Sequence, residues 1–353
     1  MIDHKVRLKA FVKLGVFFQE FCEYANNNAI SLENDTSWNE EFLQVVNNAK
    51  HYNGWFTQEN VLLSIKSWGN LLIESKIKKW LNRYDLSKNT PKTVALILAG
   101  NIPLVGFHDF LTVLITGNKA LVKLSSNDKL LFNFIAKYLI HIEPSFKENI
   151  IFTDGKLENF DAVIATGSNN TARYFEHYFS KGPNIIRKNR NSVAVLTGKE
   201  TTEELTALGD DIFTYYGLGC RSVSKLFVPE GYNFDEFYKA VYKFHPIINQ
   251  NKYANNYDYN KAVYLMSEFK ILDNGFLMLK EDSNYGSPIA SVFYEYYTSL
   301  EELKINLEQE QDKLQCIVAN NFSEKEIAFG KTQMPELWEY ADHIDTVEFL
   351  LSI

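Results

Sequence analysis

The sequence predicts an α/β protein of two domains, the first a doubly wound parallel sheet with a helical N-terminal cover. Continuous apolar runs such as "TVALILA" are typical of strands that are buried on both faces. These runs alternate with stretches of helical periodicity from about residue 93 onwards. The 353 residues are also enough for two domains, each with a core of its own.

The region up to about residue 90 is predicted to be helical, because apolar residues recur there at helical spacing. The first set is Val6, Phe11, Leu14, Phe18 and Phe21. The second set is Leu62, Ile65, Leu72, Ile77, Trp80 and Leu81. Each set forms one apolar face, so we expect these helices to pack against a sheet.

Five strands and three helices are predicted for the sheet domain. In chain order the strands are "TVALILA", "KALVKL", "NIIFTD", "FDAVIATGS" and either "PNIIRK" or "SVAVLTG". The helices are "IPLVGFHDFLTVLITG", with Pro103 near its first turn, "NDKLLFNFIAKYLI", capped by Ser126 or Asn127, and "NNTARYFEHYFS". Sheets of this kind bind ligands at the carboxyl ends of their strands.

The pattern begins again after about residue 195, which predicts a second α/β domain. Its expected strands are "SVSKLFV", "IASVFYEY" and "LQCIVA", and its expected helices are "ETTEELTALGDDIFTYYG" and "NFDEFYKAVYKFH". The last stretch, "DTVEFLLSI", is predicted to form a terminal strand in a segment that packs back or forms a subunit contact. The predicted domains are residues 1–195 and 196–330, followed by the segment 331–353.

Composition and charge exclude several classes of protein. The net charge of −8 argues against nucleic-acid binding. Three widely separated cysteines favour a reducing cytoplasm, and no Cys/His spacing resembles a metal site. The most apolar stretch is too short to span a membrane, and the start lacks the unbroken apolar core of a signal peptide. We expect a soluble cytoplasmic protein.

Polar residues follow the predicted strands or lie on sharp turns at four places. Asn101 comes after the first strand in "LAGNIPL", and Lys123 ends the second in "LVKLSSND". Gly167 and Ser168 lie where a helix begins, and Cys220 lies on the glycine turn "YYGLGCRSVSK". Each has a simpler explanation as a helix cap, a solvated lysine or a buried cysteine. Their shared placement favours a site.

In this order and spacing, the four segments resemble the aldehyde dehydrogenase superfamily, and more closely its acyl-CoA reductases of the bacterial luminescence type. The resemblance covers about residues 55–353 and implies a Rossmann-type NAD(P)-binding domain followed by an α/β catalytic domain, without the glycine-rich dinucleotide fingerprint. It implies that Cys220 is the nucleophile and that the Asn101 amide donates to the oxyanion. The residues that it places at the cofactor are Lys123, Ser126, Gly167, Ser168 and Asn284.

Neighbouring residues bear on this chemistry. Arg221, and also Lys225, would favour the thiolate of Cys220, since a cation lowers a thiol pKa. Gly217 and Gly219 would let the backbone approach a ligand. The residues that would line the acyl channel, because their helix starts beside Asn101, are Leu104, Phe107 and His108. His108 and Asp109 look like a catalytic pair, but adjacent residues of a helix do not face each other.

Three positions depart from the superfamily pattern. Arg187, in "IIRKNRN", falls where hydrolytic members carry a glutamate base, unless Glu176 or Glu200 is a displaced base. Ser126 falls where NAD-preferring members often carry a glutamate, so NADPH should be accepted at least as well as NADH. Asn284 replaces a ribose-binding glutamate.

The resemblance therefore implies an acyl-CoA reductase that reduces a fatty acyl thioester to an aldehyde with NADPH or NADH through an acyl-cysteine. The donor is acyl-CoA or an acyl-protein thioester, and a homo-oligomer or an acyl-transferring partner enzyme is left open. Two alternatives are retained. One is a hydrolytic aldehyde dehydrogenase, and the other is a non-catalytic acyl- or nucleotide-binding subunit of a fatty-acid-handling complex.

Overall fold

The computed structural model describes residues 2–27 and 36–353, which form two compact units. Unit 1 contains the chain up to Lys188 together with Glu336–Ile353, and unit 2 is Asn189–Pro335. The division falls before the strand "SVAVLTG" rather than after it at residue 195, because that strand pairs with strands of unit 2. Cofactor binding by the first domain and catalysis by the second stay predictions.

Within the described residues, four α-helices precede the sheet of unit 1. They are α1 (His4–Asn27), α2 (Thr36–Tyr52), α3 (Gln58–Leu71) and α4 (Glu74–Leu81). Their apolar faces enter one core, in which Phe11, Phe18 and Trp80 are fully buried. The predicted helical cover is confirmed for the described residues, and residues 28–35 lie outside them.

The sheet of unit 1 has five parallel strands. In chain order its elements are β1 (Thr93–Ile97), α5 (Phe107–Ile115), β2 (Lys119–Lys123), α6 (Lys129–Ile142), β3 (Ile150–Phe152), β4 (Ala162–Thr166), α7 (Asn169–Phe179) and β5 (Asn184–Arg187). The strand order is β3-β2-β1-β4-β5. Strands β2 and β3 are added on one side of β1, and β4 and β5 on its other side, so the strand order reverses at β1. The predicted doubly wound sheet is confirmed, with "PNIIRK" as its fifth strand.

Both faces of this sheet are covered. One face packs with α5 and α6 in the large core of unit 1. On the other face, Ala95, Val163 and Ala165 pack against Phe175 and Phe179 of α7. Right-handed crossovers require this arrangement when the strand order runs in two directions from β1.

Two predicted helix starts are wrong. Helix α5 begins at Phe107, because Leu104 adopts a left-handed conformation with φ of 57° and breaks the helix after Pro103. Ser126 and Asn127 do not cap α6. They lie in a short 3₁₀ turn that Ser125 caps, so α6 starts later, at Lys129.

Unit 2 contains a second, mostly parallel sheet. Its elements are β6 (Asn191–Val195), α8 (Thr202–Phe213), β7 (Val223–Pro229), α9 (Phe234–Val241), α10 (Asn251–Met266), β8 (Ile271–Asp273), β9 (Met278–Glu281), β10 (Ser291–Tyr297), α11 (Leu300–Gln309) and β11 (Leu314–Val318). The strand order is β11-β6-β7-β10-β9-β8, and β8 alone of these strands runs antiparallel to its neighbour.

The C-terminal stretch forms a helix, α12 (Thr346–Ser352), and the predicted terminal strand is wrong. Asp345 caps this helix, since its carboxylate accepts a hydrogen bond from Glu348 N at 3.0 Å. Val347 and Leu350 are buried in the core of unit 1. Of the helices that the structure describes, none is both long enough and apolar enough to cross a membrane.

Candidate active site

Cys220 lies on a strained turn between α8 and β7. After α8 ends, Tyr215, Tyr216 and Gly217 are all left-handed, with φ of 54°, 59° and 74°. Two consecutive tyrosines in this region are unfavourable, and such strain persists only where surrounding structure enforces it. The Tyr215 side chain is buried, which holds the turn, and Cys220 follows at an exposed position.

This turn is bound from two neighbouring segments of unit 2, once at its backbone and once at a side chain. Ser192 of β6 donates its hydroxyl to Cys220 O at 2.8 Å. Gln333 Nε2 donates to Ser222 Oγ at 3.4 Å. Within the turn, Ser222 N donates to Gly219 O at 3.0 Å. The turn is therefore anchored at the Cys220 carbonyl and at the Ser222 hydroxyl.

Arg221 lies beside a second thiol. Its guanidinium donates to Thr332 O at 3.2 Å and to Cys316 Sγ at 3.6 Å. Thr332 is held in turn by the buried carboxylate of Asp211, which accepts from Thr332 N at 2.9 Å and from Gly330 N at 2.6 Å. Burial raises the pKa of Asp211, while these hydrogen bonds favour its ionised form.

The expected action of Lys225 on the Cys220 thiol gains no support from its contacts. Its side chain is buried, and its ammonium donates to Ser283 O at 2.9 Å and pairs with Glu295 at 2.5 Å. The ammonium also lies over the Phe227 ring, 4.8 Å from the centroid. Lys225 thus stabilises the sheet of unit 2.

The three cysteines differ in exposure. Cys220 is exposed, whereas Cys22 and Cys316 are buried. Burial raises the pKa of the Cys22 thiol to about 11, which keeps it protonated at neutral pH. A thiol must be accessible and ionised to attack a substrate, so Cys220 is the candidate nucleophile.

In unit 1, the ends of β1 and β2 approach each other closely. A Cβ on Gly100 would lie 2.7 Å from Ser125 Oγ, so this position admits no side chain. Asn101 follows in an exposed position. It does not cap α5, because Gly106 occupies the N-cap position of that helix. The simpler explanation for Asn101 is thereby excluded.

Of the residues that the resemblance places at the cofactor, the four in unit 1 follow or end strands β2 and β4 and are at least partly accessible. Lys123 donates to Gly155 O at 2.9 Å and Ser126 is exposed. Ser168 caps α7, since its hydroxyl accepts from Thr171 N at 3.3 Å. A Cβ on Gly167 would lie 3.0 Å from the Thr171 side chain, so a glycine at this position also allows the close packing of the strand end against α7. An ammonium and an exposed helix N-terminus suit a dinucleotide's phosphates.

The remaining predicted site residues have other surroundings. Leu104 and Phe107 are buried in the core of unit 1, and their role in an acyl channel stays a prediction. The ring of His108 bonds Leu337 O at 2.9 Å. Asn284 is exposed in unit 2, where its backbone and side-chain amides both donate to Asp282, at 2.9 and 2.8 Å.

Arg187 is a buried structural residue. Its guanidinium forms a bidentate ion pair with the carboxylate of Asp109 in α5, with N···O distances of 2.7 and 3.1 Å. It also donates to Ala341 O at 2.7 Å and to Thr346 Oγ1 at 3.0 Å. The apparent pair of His108 and Asp109 is thus divided between different partners, as expected for adjacent residues of a helix.

A comparison with protein families decides the classification. The family described as "Acyl-CoA reductase (LuxC)" matches residues 22–244, more than half of the chain. The chain belongs to this family. A long-chain acyl-protein thioester reductase from Aliivibrio fischeri is 25% identical over 228 residues, which are 58% of this chain and 47% of that protein. The chain thus spans about half the length of this curated relative.

Solved structures agree on the fold. Aldehyde dehydrogenase 21 from Physcomitrella patens, determined with the reaction product succinate, matches with a TM-score of 0.63 and 13% identity over 90% of this chain and 73% of that chain. An aldehyde dehydrogenase from Bacillus cereus, determined with NAD⁺, matches with a TM-score of 0.59 and 13% identity over 90% and 72%. The fold of this acyl-CoA reductase family member is aldehyde dehydrogenase-like, as the sequence predicted.

Sequence reasoning missed the residues that support the Cys220 turn. Ser192, Asp211 and Thr332 are buried polar residues. Ser192 binds the turn, Thr332 binds Arg221, and Asp211 holds Thr332. Each lies in an otherwise apolar or ordinary stretch, and no local motif marks it. The one available signal is Asp211 itself, because an aspartate on the buried face of a helix needs a partner.

Proposed function

We propose that this chain is a fatty acyl-thioester reductase, which releases an aldehyde through an acyl-cysteine intermediate. The observation that carries the proposal is the exposed Cys220, on a strained and doubly anchored turn, in a chain of the acyl-CoA reductase family. The name of the Aliivibrio fischeri relative supports an acyl thioester as substrate. The proposal covers both kinds of thioester donor, acyl-CoA and an acyl-protein.

The first step is acyl transfer to Cys220. Its thiolate attacks the thioester carbonyl and forms a new carbon–sulfur bond. The donor's own carbon–sulfur bond then breaks, and the donor leaves as a thiolate that takes a proton from water. The oxyanion that forms on the way is assigned to Asn101, whose side-chain amide can donate to it. One such donor supplies roughly 3–4 kcal/mol. Anchoring of Cys220 O by Ser192 limits motion of the nucleophile.

The second step needs a reduced nicotinamide dinucleotide, which would supply a hydride and be oxidised, so that the acyl carbon becomes an aldehyde with a proton from solvent and Cys220 returns to a thiolate. In a sheet with the order β3-β2-β1-β4-β5, ligands bind beside the strand where the order reverses, here β1. Lys123 would pair with a phosphate, and the N-terminus of α7 with its cap Ser168 would accept another. The residues present therefore fit such a cofactor.

An aldehyde product requires that water does not discharge the acyl-cysteine. Arg187 offers no base, because a guanidinium is a hydrogen-bond donor that accepts no proton. Its side chain is also buried against Asp109. Glu176, one alternative base, pairs with Lys188 at 2.6 Å. Glu200, the other, accepts hydrogen bonds from Thr197 N at 2.6 Å and Gly198 N at 3.0 Å. These contacts favour a reductase over a hydrolytic aldehyde dehydrogenase.

Mixing the protein with dodecanoyl-CoA in the absence of reduced cofactor tests this function. We expect about one CoA released per chain and then no more, because proton transfer by a general base contributes roughly 100- to 10,000-fold to hydrolysis. Mass spectrometry should find the acyl group on the peptide with Cys220, and NADPH should discharge it as aldehyde. Continuous release of free acid would support the hydrolytic alternative. A label that NADPH never discharges would support a non-catalytic subunit.

NADPH is expected to bind at least as well as NADH, and the residues that decide this are expected at the adenosine ribose. Ser126 takes the position of a glutamate whose carboxylate would repel the 2′-phosphate of NADPH. The Lys123 ammonium can pair with that phosphate. Lys123→Met should weaken NADPH binding by roughly 10- to 100-fold and NADH binding far less, since a hydrogen bond to a charged group contributes about 1.5–3 kcal/mol. Equilibrium titration of both cofactors measures this. Lys129→Met, which removes an exposed pair with Asp154, is the control, and tighter NADH binding by the unmodified chain would contradict the assignment.

A further inference from the structure

The loop between β1 and α5 (residues 98–106), which carries Asn101, is held by buried side chains. Asn53 Nδ2 donates to Gly100 O at 3.0 Å, on one side of Asn101. On the other side, Ser64 Oγ donates to Pro103 O at 2.9 Å. Asn53 and Ser64 are both more than nine-tenths buried. Buried polar groups of this kind fix a backbone strongly, because no water replaces a broken bond.

The third anchor of this loop is Asp128. One of its carboxylate oxygens accepts a hydrogen bond from Leu104 N at 2.9 Å. Leu104 is left-handed, with φ of 57°, a conformation that a leucine adopts only when other contacts hold it. The bond therefore stabilises a strained residue three positions after Asn101.

Helix capping does not explain Asp128. It occupies the N-cap position of α6, where an aspartate normally accepts from backbone N–H groups of its own helix. Its side chain makes no such bond and reaches Leu104 instead. Its other oxygen, Oδ1, is buried and receives no hydrogen bond from any residue that the structure describes. A buried carboxyl oxygen without a donor is costly, which argues for a role beyond the helix.

The pKa of Asp128 reflects the burial of its carboxyl group. Burial raises its pKa to about 7, and the bond from Leu104 N opposes that shift only in part. A serine would cap α6 equally well without a buried carboxyl group.

We propose that Asp128 is a positioning residue, which fixes residues 98–106 through Leu104 and so holds Asn101 in place for the reaction. This inference rests on the function proposed above. Asp128 itself touches no reacting atom. Its contribution depends on Asn101, so removing either residue should remove the same part of the catalysis.

The test is a set of single and double variants assayed with dodecanoyl-CoA and NADPH. Asp128→Ser keeps a capping residue for α6 but is too short to reach Leu104. We expect it to lower kcat by roughly 10- to 100-fold, as displacement of a catalytic group does, with KM nearly unchanged. Asp128→Asn, whose amide oxygen accepts the same bond, should retain most of the activity. In an Asn101→Ala background, Asp128→Ser should lower kcat no further, because the two residues act as a unit.

Asp161 provides a matched control at the amino end of β1. Its carboxylate accepts from Thr93 N at 2.7 Å, and Asp161→Ser should leave kcat unchanged. Amide hydrogen exchange gives a readout that does not require turnover: Asp128→Ser should speed exchange in residues 98–106, and Asp161→Ser should not. Additive losses in the double variant, or unchanged exchange in that loop, would overturn the proposal. An unmodified chain that never forms an acyl-enzyme would refute the proposed function instead, and loop exchange would then decide the anchoring alone.

Discussion

Cys220→Ala is expected to abolish release of CoA from dodecanoyl-CoA, and with it aldehyde formation. Loss of a nucleophile typically lowers kcat by about a million-fold, which here leaves nothing measurable. The physical reason is accessibility, because Cys220 is exposed while the other two thiols are buried. The substitution removes one sulfur from a turn held through its backbone, so the melting temperature should change little.

Cys22→Ala and Cys316→Ala are the controls for this prediction. Burial keeps the Cys22 thiol protonated, with its pKa raised to about 11. Cys316 is buried beside Arg221 and out of reach of a substrate. Both variants should release CoA. Full turnover by Cys220→Ala, or loss of turnover confined to Cys316→Ala, would mean that a different thiol is the nucleophile.

Arg187→Glu is expected to unfold the protein or to lower its stability by several kcal/mol, without producing free acid. The new carboxylate would face Asp109 in a site where both side chains are buried. Breaking a buried ion pair costs about 3–5 kcal/mol, a large part of the roughly 5–15 kcal/mol that stabilises a typical domain. Urea unfolding followed by circular dichroism measures the change.

Three further variants distinguish the loss of the buried ion pair from the loss of a positive charge elsewhere on the protein. Arg187→Met combined with Asp109→Leu should recover part of the stability that Arg187→Met alone loses, because Asp109 is no longer left buried without its partner. The recovery is partial, since buried Asp342, 3.9 Å from the Arg187 guanidinium, loses that contact in both variants. Lys188→Met, which removes an exposed pair with Glu176, should change stability by at most about 1 kcal/mol. If Arg187→Glu folded normally and released free acid, Arg187 would face the substrate and its structural role would be wrong.

The sequence by itself determined the doubly wound sheet, the helical cover and the family. Strands such as β1 and β4 were predictable because burial on both faces demands an apolar run. The Cys220 turn was predictable because two glycines, Gly217 and Gly219, precede the cysteine shortly before a strand. These signals are local, since each depends on a few adjacent residues. The same local logic failed for "DTVEFLLSI", where the cap Asp345 outweighed the apolar run.

Only the tertiary structure decided which sheet β6 joins and what the polar residues do. An apolar run has the same sequence pattern whichever strand it pairs with. The boundary between the two units, at Lys188 and Asn189, therefore depends on the pairing of β6 with β7 and β11. The same holds for side chains: Arg187 and Asp109 are 78 residues apart, and Asp128 and Leu104 are 24 apart. Such contacts are set by packing of elements that meet only in the folded chain, which no local pattern encodes.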